Sequence, residues 1–263
     1  MVTGEYIKDR WLLKALQHIC HEQSIDLTSF SNDWLFELSR GCVTRRVLGY
    51  KFDLNSSVAA QTTEDKVAAS MILAAHDVPT VPHTLVRTKN TTYDWQHPDW
   101  HQVVVKPLVG SGGIGVKLFQ NQDEAGTWMT SQIVDGWAIS PFVSIQREVR
   151  LIVLDSEVLL AYEKHPVMID GLLMFNLGLG ATPSKIIPSN QLQLLAKKAC
   201  NVLALRLAAV DIIELKSGEL KVMEVNDGIM MEHYAQTSKE YEQDALRVYS
   251  TIISTMMADT TAP

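Results

Sequence analysis

Leu207-Ala208-Ala209-Val210-Asp211-Ile212-Ile213 and Leu220-Lys221-Val222-Met223-Glu224-Val225-Asn226 are two apolar runs separated by Lys216-Ser217-Gly218-Glu219. The intervening residues are a turn signal, so the pair reads as an antiparallel hairpin. A turn centred between Ser217 and Gly218 sets the register and places Asp211 opposite Glu224. Asn226 then faces the same way, because strand side chains alternate with period two. Three oxygen-bearing side chains thus converge on one face. Two carboxylates about 5 Å apart repel by roughly 3 kcal/mol at an effective dielectric of about 20. A divalent cation would turn that cost into binding, and all-oxygen ligation suits Mg²⁺ or Mn²⁺. The residues alone leave a second reading open, in which these side chains are the solvated outer face of a hairpin.

The 263 residues are enough for a large core, and 46% hydrophobic with 20% charged residues is ordinary for a globular enzyme. A net charge of −7 argues against a nucleic-acid partner, which would require a basic excess. Cys20, Cys42 and Cys200 are widely spaced and odd in number, which fits a reducing, cytoplasmic setting. Met1 to Arg10 carry charges of both signs and no apolar core, so no secretory signal is expected. Lys197, Lys198 and Arg206 interrupt the richest apolar stretch, so no membrane partner is expected either.

Trp11, Leu12, Leu16 and Ile19 predict an amphipathic helix over 9–22, followed by a mixed segment with short apolar runs. Thr63 is expected to cap a helix reaching about His76, with Asp77-Val78-Pro79 stopping it. A short strand at 84–86 precedes a polar loop over 88–101. Strands are then expected at 102–106 and 116–119, with a helix from Asn121 to about Val134 opened by a cap with Glu124. Strands follow at 138–145, 148–154 and 157–164, then an irregular stretch over 165–188 and a helix over 190–206. After the hairpin, Thr237 with Glu240 reads as a capping box for a last helix to about Met257.

Gly110-Ser111-Gly112-Gly113-Ile114-Gly115 matches GxGxxG by letter, but a strand follows it where the dinucleotide fingerprint needs a helix. The loop therefore caps a hairpin. A Walker loop is excluded because no Gly-Lys-Ser/Thr follows, and the kinase motifs His-Arg-Asp and Asp-Phe-Gly are missing. Val103-Val104-Val105-Lys106-Pro107 places a lysine at the base of the loop, where backbone N–H groups and a point charge suit phosphate.

Taken in order, these pieces resemble the ATP-grasp superfamily, most closely its RimK-like, glutathione-synthetase-like branch. The resemblance is carried by Asp65-Lys66, Val104-Val105-Lys106-Pro107, the 110–115 loop and Arg147-Glu148-Val149-Arg150. It continues through Ala161-Tyr162-Glu163-Lys164, Phe175-Asn176, Asp211 and Glu224-Val225-Asn226, covering about residues 60–235. It implies an α+β fold in which two subdomains clamp ATP. The domains would be a shortened N-terminal region over 1–60, a central lid-bearing subdomain over 61–136 and a metal-bearing subdomain over 137–263. Lys66, Lys106, Gly112 and Gly113 would hold the nucleotide, with Pro141 and Phe142 at the adenine, Glu148 at the ribose and Asn176 by the phosphates. Asp211, Glu224 and Asn226 would be the Mg²⁺ (or Mn²⁺) ligands, and Arg150 and Lys164 catalytic.

The reaction implied is phosphorylation of a carboxylate by ATP, followed by attack of an amine on the acyl phosphate. Several positions depart from the family pattern. Ser140 stands where a glutamate is usual, and Met174 where an arginine is frequent, with Lys164 available to supply that charge. The stretch after Asn226, Asp227-Gly228-Ile229-Met230-Met231-Glu232-His233-Tyr234, is unlike the small-residue loop of close relatives. A small-molecule kinase, a ring-closing synthetase and a nucleotide-binding module without turnover remain as alternatives. Arg45, Arg46, Tyr50, Asp53 and Asn55 either meet a substrate carboxylate or form a solvated connection. The apolar C-terminal helix offers a surface for a homo-oligomer.

Overall fold

The computed structural model describes residues 9–89, 95–110 and 112–258. Residues 90–94 of the expected polar loop, Ser111 of the glycine loop and the 259–263 tail lie outside them. Helix α1 (Trp11–Glu22) is followed by β1 (Asp26–Phe30), β2 (Leu35–Arg40), β3 (Val43–Leu48) and β4 (Lys51–Phe52). These four strands form an antiparallel meander in sequence order. The sequence reading left this segment unassigned, although Phe36, Leu38 and Val47 alternate with more exposed neighbours and pack inward.

Next come α2 (Ser57–Glu64) and α3 (Lys66–Ala75). Thr63 lies inside α2 and caps nothing, which corrects the expected single helix. The break falls at Asp65, whose carboxylate accepts the Val67 and Ala68 N–H groups at 3.0 and 2.9 Å. That cap makes Lys66 the first residue of α3.

A four-stranded sheet holds β5 (Thr84–Arg87), β6 (Val103–Pro107), β7 (Lys117–Phe119) and, after α4 (Gln122–Thr130), β8 (Gly136–Pro141), in the order β5-β8-β6-β7. Strands β6 and β7 pair antiparallel, so the glycine loop does cap a hairpin. Val103, Val105, Trp137 and Ile139 pack one face of this sheet against Ala125 and Met129 of α4.

The third sheet is built from β9 (Ile145–Leu154), β10 (Glu157–His165), β13 (Thr182–Lys185), β14 (Leu207–Leu215) and β15 (Leu220–Asn226), in the order β13-β10-β9-β14-β15. Between β10 and β13 the stretch expected to be irregular holds a small hairpin, β11 (Val167–Ile169) and β12 (Leu172–Met174), then a 3-10 turn at Leu177–Leu179. Helix α5 (Asn190–Val202) ends short of the expected Arg206. Ala204 takes φ +55° and the Leu205 N–H reaches back to the Cys200 carbonyl, a stop without a glycine signal. The chain closes with α6 (Glu232–Ala235) and α7 (Lys239–Ala258). Ser238, not Thr237, caps α7, accepting the Tyr241 N–H.

Both faces of the five-stranded sheet are covered. Val149, Leu151, Val153, Ala208, Val210 and Ile212 pack against α5 and α3. Ile152, Leu160, Tyr162, Leu207 and Ala209 share a second core with α1, the meander and α7. The apolar stripe of α7, expected as an association surface, is buried there through Val248, Tyr249, Ile252, Ile253, Met256 and Met257. Glu232 ties this assembly together: it is 1% exposed and accepts from the Trp11 and Leu12 N–H groups and the Tyr50 hydroxyl. Among the described residues, no helix is long and apolar enough to cross a membrane.

Candidate active site

The decisive geometry is one row across four strands. Tyr162 of β10 lies opposite Arg150 of β9, Arg150 opposite Asp211 of β14, and Asp211 opposite Glu224 of β15. The hairpin register is therefore as expected, but it arises differently. From the turn outward, Glu214 pairs with Leu220 and Ile212 with Val222, which would set Asp211 opposite Met223. A bulge at Met223 adds one residue to β15 and moves Glu224 into register. Without it, Glu224 and Asn226 would project from the other face. Asn226 follows in the next row, opposite Ala209.

Asp211 is 3% exposed, and cations take three of its roughly four acceptor sites. Arg150 grips it through two parallel bonds, Nε to Oδ1 at 2.7 Å and Nη2 to Oδ2 at 2.6 Å. Lys164 Nζ adds a contact at 2.8 Å and also donates to Glu148 at 2.6 Å. The four charges sum to zero, which is what makes their burial tolerable. Burial pushes the Asp211 carboxyl up, but Arg150 and Lys164 outweigh it and hold the group at about 2. Glu148 goes the other way: burial and the nearby Asp211 charge raise it despite Lys164. Burial disfavours the Lys164 ammonium, as does Arg150, yet the two carboxylates hold its pKa above the ordinary value.

Facing this row is the lid side. Lys66 Nζ donates to the Gly110 carbonyl at 2.7 Å and lies 3.5 Å from Glu224 Oε1, linking the base of the lid to the acidic strand. Burial lowers the Lys106 pKa, and Lys66 adds to the effect against the pull of Glu224 and Glu148. His83, just before β5, is 7% exposed, and its Nδ1 meets the Val81 carbonyl at 2.9 Å. Burial and the charges of Lys106 and Lys66 keep the ring neutral, so Nδ1 donates and Nε2 is a buried acceptor without a partner among the described residues. Two crowded lysines and one orphaned acceptor are what a bound polyphosphate or base would relieve.

The tip of the lid reaches the other half. A Cβ on Gly113 would lie 2.8 Å from Met174 Cε and 3.2 Å from Leu179 Cδ1, and Gly113 holds φ +74°. Only glycine meets both conditions without strain. Gly112, also at positive φ, precedes it. Asn176 lies between Met174 and Leu179, its Oδ1 accepting the Gly178 N–H at 2.8 Å. Pro141 ends β8 opposite Val103, and Phe142 donates its N–H to Gln102 at 2.8 Å with the ring partly exposed. Pro141 belongs to the four-stranded sheet, not to the five-stranded sheet that carries the charged row.

Taken together, Arg150, Lys164, Glu148, Asp211 and Glu224 meet in one cluster, with Lys66 and Lys106 facing it. Among the described residues no three His, Cys, Asp or Glu side chains form a metal-holding group. The expected ligands Asp211, Glu224 and Asn226 would offer two carboxylates and an amide, a set of oxygen donors that suits Mg²⁺. The earlier alternative for Arg45, Arg46, Tyr50 and Asn55 resolves toward structure. Arg45 donates to the Met256 carbonyl, Arg46 pairs with Glu37, Tyr50 donates to Glu232, and Asn55 pins the backbone of Arg206 and Leu207. Tyr162 enters the sequence reading only within a family motif, because its place in the row comes from its cross-strand neighbour Arg150 and not from spacing.

Residues 63–246 match the RimK-like ATP-grasp domain. The chain belongs to the RimK-like ATP-grasp family. Ribosomal protein bS6–L-glutamate ligase of Escherichia fergusonii is 27% identical over 197 residues, covering 71% of this chain and 63% of that protein. A probable alpha-L-glutamate ligase of Legionella pneumophila is 26% identical over 180 residues, covering 66% and 59%. The chain thus spans less than two thirds of the length of either relative. The D-alanine–D-alanine ligase of Bacillus anthracis complexed with ATP superposes with a TM-score of 0.58 at 16% identity, covering 77% of this chain and 70% of that one. That likeness shows the ATP-grasp fold.

Proposed function

We propose that this RimK-like protein is an ATP- and Mg²⁺-dependent carboxylate–amine ligase that releases ADP and phosphate. The observation that carries the reading is the charged row Arg150–Asp211–Glu224 lying across from Lys66 and Lys106 beneath a glycine hairpin. In this reading residues 61–136 supply the lid half of the clamp and 137–263 the metal half, with 1–60 preceding them. Lys66 and Lys106 neutralise the phosphates, while Gly112 and Gly113 let the lid backbone approach them. Pro141 and Phe142 border the base, Glu148 is the ribose-side acid, and Asn176 meets the phosphate end. Mg²⁺ held by Asp211, Glu224 and Asn226 would supply charge neutralisation for phosphoryl transfer.

Arg150 and Lys164 bear their charge whatever the occupant, so they stabilise negative charge building on the transferred phosphoryl group. Contact of the lid tip with Met174 and Leu179 excludes water from the acyl phosphate. The names of the relatives support an amino acid such as glutamate as one reactant. Three free cysteines support a cytoplasmic setting.

The test is incubation with ATP, Mg²⁺, a panel of amino acids and hydroxylamine. Hydroxamate with ADP is the expected outcome. ADP with a stable phosphoester would point to a kinase, ADP with a cyclised product to ring closure, and bound nucleotide without ADP to an inert module. Glu224→Gln should abolish turnover with the circular-dichroism spectrum unchanged.

A further inference from the structure

The stretch after Asn226 carries two carboxylates and one imidazole, and the carboxylates are already committed. Asp227 is 6% exposed and pairs with Lys51 at 3.0 Å. Glu232 is buried under the N–H groups of α1 and the Tyr50 hydroxyl. His233 is different. It is half-buried, and among the described residues its ring has no hydrogen-bond or ion-pair partner.

Its position is defined from two sides. Tyr234, the next residue, packs its ring 4.7 Å from Tyr162, which stands opposite Arg150 in the charged row. On the other side, a Cβ on Gly178 would meet His233 Nε2 at 3.0 Å and Asn176 Oδ1 at 3.1 Å. The imidazole and the Asn176 amide therefore crowd the same side of Gly178, and glycine is what leaves room for both. Met174 and Leu179, flanking Asn176, are the residues on which the lid tip rests. His233 thus lies where the lid tip, Asn176 and the Arg150 row approach one another.

Amide formation has a requirement that the charged row cannot meet. The attacking nitrogen must lose a proton, and Arg150 and Lys164 are cations without a free lone pair. Asp211 and Glu148 are engaged by those cations, and Glu224 faces Lys66 and, in the ligase reading, holds Mg²⁺. We propose that His233 is the general base of acyl transfer; this rests on the ligase reading above. The amine lone pair attacks the carbonyl carbon of the acyl phosphate and the C–N bond forms. The C–O bond to phosphate breaks, phosphate leaves with the electron pair, and the proton on nitrogen passes to His233 Nε2.

The test uses the full chain with isotope-labelled histidine, following ring signals by NMR as AMPPNP and Mg²⁺ are added, with His233→Gln assigning the resonance. Binding should shift the His83 and His233 signals together. A shift at His83 with His233 silent overturns the inference and leaves the ligase reading standing. No shift at either, with no heat of nucleotide binding by calorimetry, overturns both. With an amino acid that supports hydroxamate formation, His233→Gln should lower amide formation about 100-fold more than hydroxamate formation, since hydroxylamine is largely unprotonated at neutral pH. Equal loss of both, or retention of both, overturns the role.

Discussion

Replacing Asp211 by asparagine removes one of four buried charges and leaves the other three unbalanced. Asp211 is 3% exposed, and both its oxygens accept from cations. A carboxyl held at about 2 against its ordinary 3.8 contributes about 2 kcal/mol to folding at neutral pH. The sign follows from the depressed value: the contribution is complete above pH 3.8 and disappears as pH falls through about 2. Breaking a buried pair by removing one partner costs about 3–5 kcal/mol, because the stranded charges stay desolvated. Asp211→Asn keeps one acceptor oxygen, so roughly 2–4 kcal/mol is expected, or a fall in Tm of roughly 5–15 °C for a chain of this size. Urea titration followed by circular dichroism at pH 7 measures it. A double-mutant cycle with Arg150→Met should return a coupling of at least about 1 kcal/mol. A Tm within 1–2 °C of the parent (about 0.5 kcal/mol), or strictly additive single variants, would refute the claim that Asp211 is held by these cations.

Deleting Met223 removes the extra residue, so Glu224 follows Val222 directly and should stay opposite Asp211, with Asn226 opposite Ala209, in a regular ladder. Mg²⁺-dependent ATP binding measured by calorimetry should survive the deletion; its loss in a folded product contradicts the register argument. Gly113→Val places a β-branched residue at φ +74° against Leu179, so nucleotide should no longer shield the lid from protease, while Tm stays within about 2 °C because the loop is exposed. The neutral, buried His83 binds fewer protons folded than unfolded below its ordinary 6.5. Stability should therefore fall as pH drops below 6.5, by up to about 1.4 kcal/mol per pH unit. His83→Asn should lose that slope in denaturation measured between pH 5 and 7, and an identical slope would remove the assignment.

Glycine-marked and strand-patterned features were legible: the hairpin nature of the 110–115 loop, the strands around it and the pairing of Asp211 with Glu224. Features without a local marker were not. Helix α5 stops before Arg206 because Ala204 takes the left-handed conformation, where a glycine would have signalled the end, whereas α1 and α3 end about where expected. The meander β1–β4 was hidden because its edge strand β1 is mostly exposed and lacks strong alternation. The split between α2 and α3 depends on the Asp65 cap, which reads from sequence only if the chain direction changes there.

By itself the sequence determined which side chains the protein has for oxygen ligation and phosphate neutralisation, and that a period-two strand would turn three of them one way. Tertiary structure alone decided how those charges are balanced. Arg150 reaches Asp211 from the adjacent β9 and Lys164 from β10 one strand further, 61 and 47 positions away in the chain. Electrostatic energy falls with distance in space and with solvent access, not with distance along the chain. Only the folded sheet, with both faces covered, could set a carboxylate between two cations.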